Sequence, residues 1–270
     1  MSTRRDVMGM TAALCALASS AAVAQVAKAT STKKTFVLAH GSWHGGWCWR
    51  RVADQLRAAG HHVETPSYSG MGDRAHLLNE SIDIETFVQD IVSVINHNDL
   101  EDVILVGHSF AGVVITGVAD RIPGKLRHLV YLDSLILESG KNSFSMYPPD
   151  EAAARIEAAK KAGGGIAVPP PAALPGVWGL TQGTPDYEWV LKHLTAQPLK
   201  SYTTALTLKN PIGNGISRTY VECTQPLHPV LAASRDLVAR QSGWKRIQLS
   251  APHDCMVTHP NETAKILLSV

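Results

Sequence analysis

Cysteine is scarce in this chain, and so is unbalanced charge. Four cysteines occur in 270 residues, and the first, Cys15, lies in an N-terminal segment that reads as removable. Cys48, Cys223 and Cys255 are an odd set, which excludes a complete disulfide framework, and their spacing matches no zinc pattern. Cys48, in a Trp-rich stretch, and Cys223, at a strand end, read as small core residues. A bridge from Cys223 to Cys255 stays open, because both fall at the carboxyl ends of neighbouring late strands. Lys and Arg number 25 against 23 Asp and Glu, a formal charge of +2. With no basic block beyond the N-terminus, nucleic acid and anionic membrane surfaces are poor partners. There is no internal repeat, and the apolar run Met10 to Val23 is too short to span a bilayer.

What is present describes one large core: 45% of residues are hydrophobic and 18% charged. Arg4-Arg5, the moderate apolar run and Ala22-Val23-Ala24 follow one another in the order of a twin-arginine export signal over 1–24. Leu14 precedes Cys15 where a lipoprotein site would need a small residue. The expectation is a mature chain over 25–270, periplasmic or secreted and free of the membrane.

From Thr35 onward strand-like and helix-like segments alternate. Phe36–Ala39, His62–Thr65, Val103–Val106 and Leu129–Leu132 read as short buried strands. Trp49–Ala59 and Ile82–Ile95, the latter capped by Ser81 or Asp83, carry apolar residues at helical spacing. Such alternation predicts a mostly parallel sheet with helices on both faces. It breaks over 138–215, where an Ala/Gly/Pro-rich stretch and a helical stretch, Asp186–Leu194, read as a cap inserted between the strand ending near Asp133 and the one starting near Thr219. The core resumes with Thr219–Glu222, a helix over Leu231–Arg240, the strand Arg246–Leu249 and a last helix over Pro260–Leu268.

The chemistry centres on Gly107-His108-Ser109-Phe110-Ala111-Gly112, set between the strand Val103–Val106 and the helical run Val113–Ala119. A strand, a sharp turn and a helix lift the Ser109 hydroxyl out of the sheet and aim the Phe110 amide at an oxyanion. Ala111 stands where a glycine is usual, and Gly112 supplies the clearance. A serine needs a base, and His253, after the last strand, lies on the same sheet edge. The orienting acid belongs between them in sequence. The loop after Thr219–Glu222 offers no carboxylate, which points to Asp133 at the preceding strand end, with Glu222 and Asp254 as substitutes. The amide of Ser42, after the first strand, is the second oxyanion donor, and Gly41 lets the backbone approach closely. Pocket candidates are Gly41, Trp43, His108, Met146, Tyr147, Trp178, Tyr187 and Trp189, while Trp47 and Trp49 read as packing. Their apolar character suits a small apolar or aromatic ester.

Four segments, HGSWHGGWCW over 40–49, GHSFAG over 107–112, YLDS over 131–134 and SAPHDCMVTHP over 250–260, carry a resemblance. The chain resembles the α/β-hydrolase superfamily, in the branch of small esterases and hydroxynitrile lyases that includes plant methylesterases. The resemblance implies an α/β-hydrolase fold and a Ser109–His253–Asp133 triad cleaving a small-molecule ester through an acyl-enzyme, without cofactor or metal. In the branch's lyases a lysine follows the catalytic histidine and a threonine replaces Gly41. Asp254 and Gly41 stand at those positions here, so hydrolysis is expected, with a lyase or a non-catalytic binding protein as alternatives.

Overall fold

The computed structural model describes residues 33–162 and 164–270; the expected signal over 1–24 lies outside them. Six strands form one parallel sheet in the order β2-β1-β3-β4-β7-β8. They are β1 (Thr35–Ala39), β2 (His62–Glu64), β3 (Val103–His108), β4 (Leu126–Leu132), β7 (Ser217–Cys223) and β8 (Trp244–Leu249), with a small antiparallel pair, β5 (Ala167–Val168) and β6 (Gln197–Pro198), between β4 and β7. All of β3 is buried, as a central strand covered on both faces should be, and its apolar run needs no alternation. Edge strand β8 is largely exposed and mixed in composition.

The order fixes where a site can form. From β1 the chain steps outward to β2 through α1 (Arg50–Ala58), then returns past β1 to β3 through α2 (Ile84–His97). Right-handed crossovers in opposite directions place α1 and α2 on opposite faces. Accordingly α2 packs on α3 (Ala111–Arg121) and α1 on the last helix of the chain. The reversal opens a crevice beyond the carboxyl ends of β1 and β3, the switch point at which open α/β sheets bind ligands. Asp83 caps α2 in a reciprocal box with Thr86, a feature worth about 0.5–2 kcal/mol. The sequence placed this helix correctly and offered Asp83 as one of two caps.

The segment between β4 and β7 holds α4 (Pro149–Ala162), α5 (Pro185–His193) and α6 (Leu199–Thr203). Of these the sequence pattern announced only α5. The first lacked the apolar periodicity that would reveal it, since Ala159 is its single buried residue. After β7 come α7 (Ala232–Arg240), α8 (Cys255–Thr258) and α9 (Pro260–Leu268). Cys48, Cys223 and Cys255 are free and buried, so the Cys223–Cys255 pairing left open by the sequence is not formed.

His40, wholly buried behind the crevice, sets a limit on acid stability. Its Nδ1–H donates to the Gly41 carbonyl at 2.9 Å while its Nε2 accepts from the Tyr68 amide at 3.2 Å. That pattern requires a neutral ring, and burial lowers its pKa to about 3. The unfolded chain binds this proton at ordinary histidine pKa, so the stability is complete above about pH 6.5 and drains as pH falls toward the folded value. Urea midpoints measured at pH 7.5 and 5 are expected to fall with acid in the native chain and less steeply in His40→Gln.

Candidate active site

Ser109 follows β3 with φ at +56°, a conformation rare for a side-chain-bearing residue and concentrated at functional sites. Its amide donates to the Leu132 carbonyl, and its own carbonyl accepts from the amides of Gly112 and Leu135, so the turn is pinned to the end of β4. Small residues permit the crossing. A Cβ on Gly107 would stand 2.8 Å from the Ala111 carbonyl oxygen, and one on Gly112 would collide with that of Leu135.

Asp133 continues β4 at φ +42°, and Trp43 follows β1 at φ +61°. Three side-chain-bearing residues in left-handed backbone thus ring one crevice. The Asp133 amide donates to the Val221 carbonyl at 2.7 Å, which turns its side chain across the end of β7. There Oδ1 accepts the Cys223 amide at 3.3 Å, and Oδ2 lies 2.6 Å from Nδ1 of His253. Nε2 of His253 in turn lies 2.9 Å from Oγ of Ser109. The structure therefore joins Ser109, His253 and Asp133 in one hydrogen-bonded chain. It brings neither substitute acid there: Glu222 pairs with Arg235 at 3.4 Å, and Asp254 faces His44.

His253 is packed between two other imidazoles, His108 and His228, each with ring centroid 4.6 Å from its own. Both are held uncharged. Burial, then the nearness of His253, pushes His108 well below the ordinary histidine range, and the same causes lower His228 to about 3. A protonated neighbour would oppose the imidazolium that forms when His253 takes a proton, whereas neutral rings do not. His108 fixes its tautomer by directing Nε2–H to the His253 carbonyl at 2.9 Å. Its bare Nδ1 faces Gly41, where an added Cβ would lie 3.0 Å from that nitrogen and 2.9 Å from the Ser109 Cβ. A side chain at this position would therefore press on the Ser109 turn.

The Phe110 amide opens α3, where the first N–H groups have no intrahelical acceptor and the helix dipole is positive. The Ser42 amide, on the loop after β1, is the other oxyanion donor expected from the sequence. A cavity of about 480 Å³ stands over these groups, bounded by Gly41, Trp43, Tyr147, Trp178, Val177 and a run of prolines. His108 lines it as well, whereas the structure does not bring Met146, Trp189 or Tyr187 to it. Met146 lines a smaller pocket beside Ile136 and Leu237, Trp189 packs edge-on against Trp47 at 5.0 Å, and Tyr187 is buried with its hydroxyl accepting from the Leu174 amide. Conversely, Arg155 of α4 was not anticipated. It lines the cavity, stacked over Tyr147 and Trp43 and paired with Glu151 at 2.8 Å. A charge on an Ala-rich helix reads as solvated, and only docking of α4 reveals otherwise.

Comparison with known proteins decides the family. Residues 36–266 match the alpha/beta hydrolase family. The chain belongs to it. It is 38% identical over 243 residues, 87% of this chain and 98% of that protein, to a carbendazim hydrolyzing esterase of Nocardioides sp.. It is 32% identical to methylesterase 4 of Arabidopsis thaliana over a stretch of 39% of this chain and 41% of that protein. Among solved structures, an extracellular alpha/beta-hydrolase from a Paenibacillus species, described as sharing structural and functional homology with tobacco salicylic acid binding protein 2, superposes with a TM-score of 0.74 at 25% identity. That match covers 87% of this chain and 98% of the other. This α/β-hydrolase thus has esterases as its relatives, and the sheet and elbow agree with the fold its sequence implied.

Proposed function

We propose that this α/β-hydrolase cleaves carboxylic esters of small apolar or aromatic substrates through an acyl-enzyme on Ser109. The observation that carries the reading is the unbroken chain Ser109–His253–Asp133, at 2.9 and 2.6 Å, on the floor of an apolar cavity. His253 withdraws the Ser109 proton at Nε2 as Oγ attacks the carbonyl carbon. The amides of Phe110 and Ser42 receive the oxyanion, and Asp133 holds the Nδ1–H of the imidazolium. Collapse expels the alcohol with that proton, and a water activated by His253 releases the acid in the same way. No step calls for a metal or organic cofactor.

Gly41 and Asp254 support hydrolysis over cyanohydrin cleavage. Asp254 stands where the branch's lyases carry the lysine that serves cyanide, and it is buried against His44. The intact triad weighs against a binding protein that has lost catalysis. Relatives described as a carbendazim hydrolyzing esterase and a methylesterase point the same way. A cavity near 480 Å³ suits such molecules. A panel of aryl and methyl esters is expected to show turnover of acetates and of methyl esters of aromatic acids, with a 4-nitrophenyl palmitate rate lower by at least about tenfold. Preference for the palmitate, or inertness toward the whole panel, would overturn the reading.

The twin-arginine pattern over 1–24 supports a further part of the proposal, export to the periplasm or beyond. Arg4→Lys combined with Arg5→Lys is expected to leave uncleaved precursor in the cytoplasm, and unaltered export of that variant would rule the route out.

A further inference from the structure

Asp254 is fully buried, and neither of its carboxylate oxygens has a hydrogen-bond partner among the described residues. Triad chemistry makes no use of it, although it adjoins His253 in the chain. Among the described residues its ion-pair partner is His44, whose Nε2 stands 3.3 Å from Oδ2, the two side chains being 2% and 0% exposed, while ring nitrogens of His108 and His253 lie within 4.8 Å of the carboxylate. Nδ1 of His44 lies 2.8 Å from the carbonyl oxygen of Ser42. A carbonyl only accepts, so Nδ1 carries a proton. An ionised carboxylate facing a bare Nε2 would set lone pair against lone pair. One proton in the gap, on either partner, would complete a hydrogen bond there.

The pair ties together two loops that the reaction needs in register. Ser42 belongs to the oxyanion loop after β1, and Asp254 to the loop that carries the base. The peptide between Ser42 and Trp43 is gripped at its carbonyl by His44 and at its N–H by Gln197, at 3.2 Å. It leads into the left-handed backbone of Trp43, a conformation that persists only where its surroundings over-determine it. The His44 ring itself is kept in place by Trp47 and Trp178, each at 5.2 Å.

We propose that His44 and Asp254 are a second buried histidine–carboxylate pair, positioning residues that lock the oxyanion loop to the His253 loop so that the Ser42 amide meets the developing oxyanion. The inference rests on the esterase reading above. Asp254→Leu removes the partner of His44. It is expected to lower kcat by about 100-fold, in the range for loss of an oxyanion donor, with KM changed less than about threefold because the oxyanion contact is made in the transition state and not in the bound ester. Affinity for a trifluoromethyl ketone, which adds to the nucleophile as a tetrahedral oxyanion, falls by a comparable factor, while affinity for the acid product is retained. Asp254→Asn keeps the clamp, since its amide N–H donates to Nε2 and leaves the proton on Nδ1, and it is expected to hold kcat within about fivefold of the native value.

If Asp254→Leu does not fold, the double variant His44→Phe/Asp254→Leu is read in its place. It keeps a ring on Trp47 and Trp178, buries no charge, and is expected to show the same kcat loss. A folded Asp254→Leu or double variant with native kcat and native ketone affinity would overturn the pair, as would an Asp254→Asn enzyme as impaired as Asp254→Leu. A native enzyme inert toward all esters would instead overturn the esterase reading and leave a different failure on record.

Discussion

Ser109→Ala is expected to abolish ester hydrolysis, lowering kcat by about 10⁶, while the unfolding transition stays where it was. The hydroxyl that is lost makes one hydrogen bond, to His253, and the elbow holding it is built from backbone contacts to Leu132, Leu135 and Gly112, which alanine leaves in place. Removing Oγ therefore takes away the attacking atom and little of the packing. The residual rate would be that of a cavity holding an ester near a histidine and two amides. Hydrolysis reduced only a few-fold in a purified, folded variant would remove Ser109 from the chemistry.

Asp133→Asn is expected to lower kcat by about 10⁴ with little change in unfolding midpoint. The structure supplies a specific reason. Oδ1 of Asp133 accepts the Cys223 amide, so an asparagine must present its carbonyl there and turn its N–H₂ toward Nδ1 of His253. Donation into Nδ1 forces the imidazole proton onto Nε2, the nitrogen that must be bare to accept from Ser109. Glu222→Gln and Asp254→Asn, which sit away from this contact, should have far smaller effects. A near-native Asp133→Asn enzyme beside a dead Glu222→Gln enzyme would transfer the acid to the end of β7.

The strand tips of the candidate site were legible in the sequence because each is a local event. An apolar run, a serine between small residues and a helical run specify an elbow wherever they occur, and β3, Ser109 and α3 followed that pattern. Asp133 was legible by elimination, since the loop beginning at Thr224 holds no carboxylate, and its geometry explains how a residue ending β4 reaches a base that follows β8: it leans over β7. His253 needed only its place after the last strand. The cavity walls were less legible, because which face of a helix looks inward depends on how that helix docks. Tyr147 and Trp178 reached the cavity while neighbouring Met146 and Trp189, equally apolar, did not. Helix α4 shows the reason: an Ala-rich segment whose inward-facing cation, Arg155, is partly covered by Tyr147 just before the helix and by Trp43 from the far end of the sequence. The pairing of His44 with Asp254, the latter read from the sequence only as a substitute acid, escaped for the same reason, as more than two hundred residues separate them and only the sheet edge brings them together.

The central claim is that Ser109 is the one nucleophile of an acyl-transfer site, and the most direct measurement is covalent capture. Incubation of the active protein with an aryl phosphonate, followed by intact-mass and peptide mass spectrometry, should give a single adduct per chain on the peptide containing Ser109. Its formation should track loss of esterase activity, and Ser109→Ala should not be labelled. Full inactivation with the adduct on another residue, or hydrolysis that continues undiminished in fully labelled protein, would contradict it.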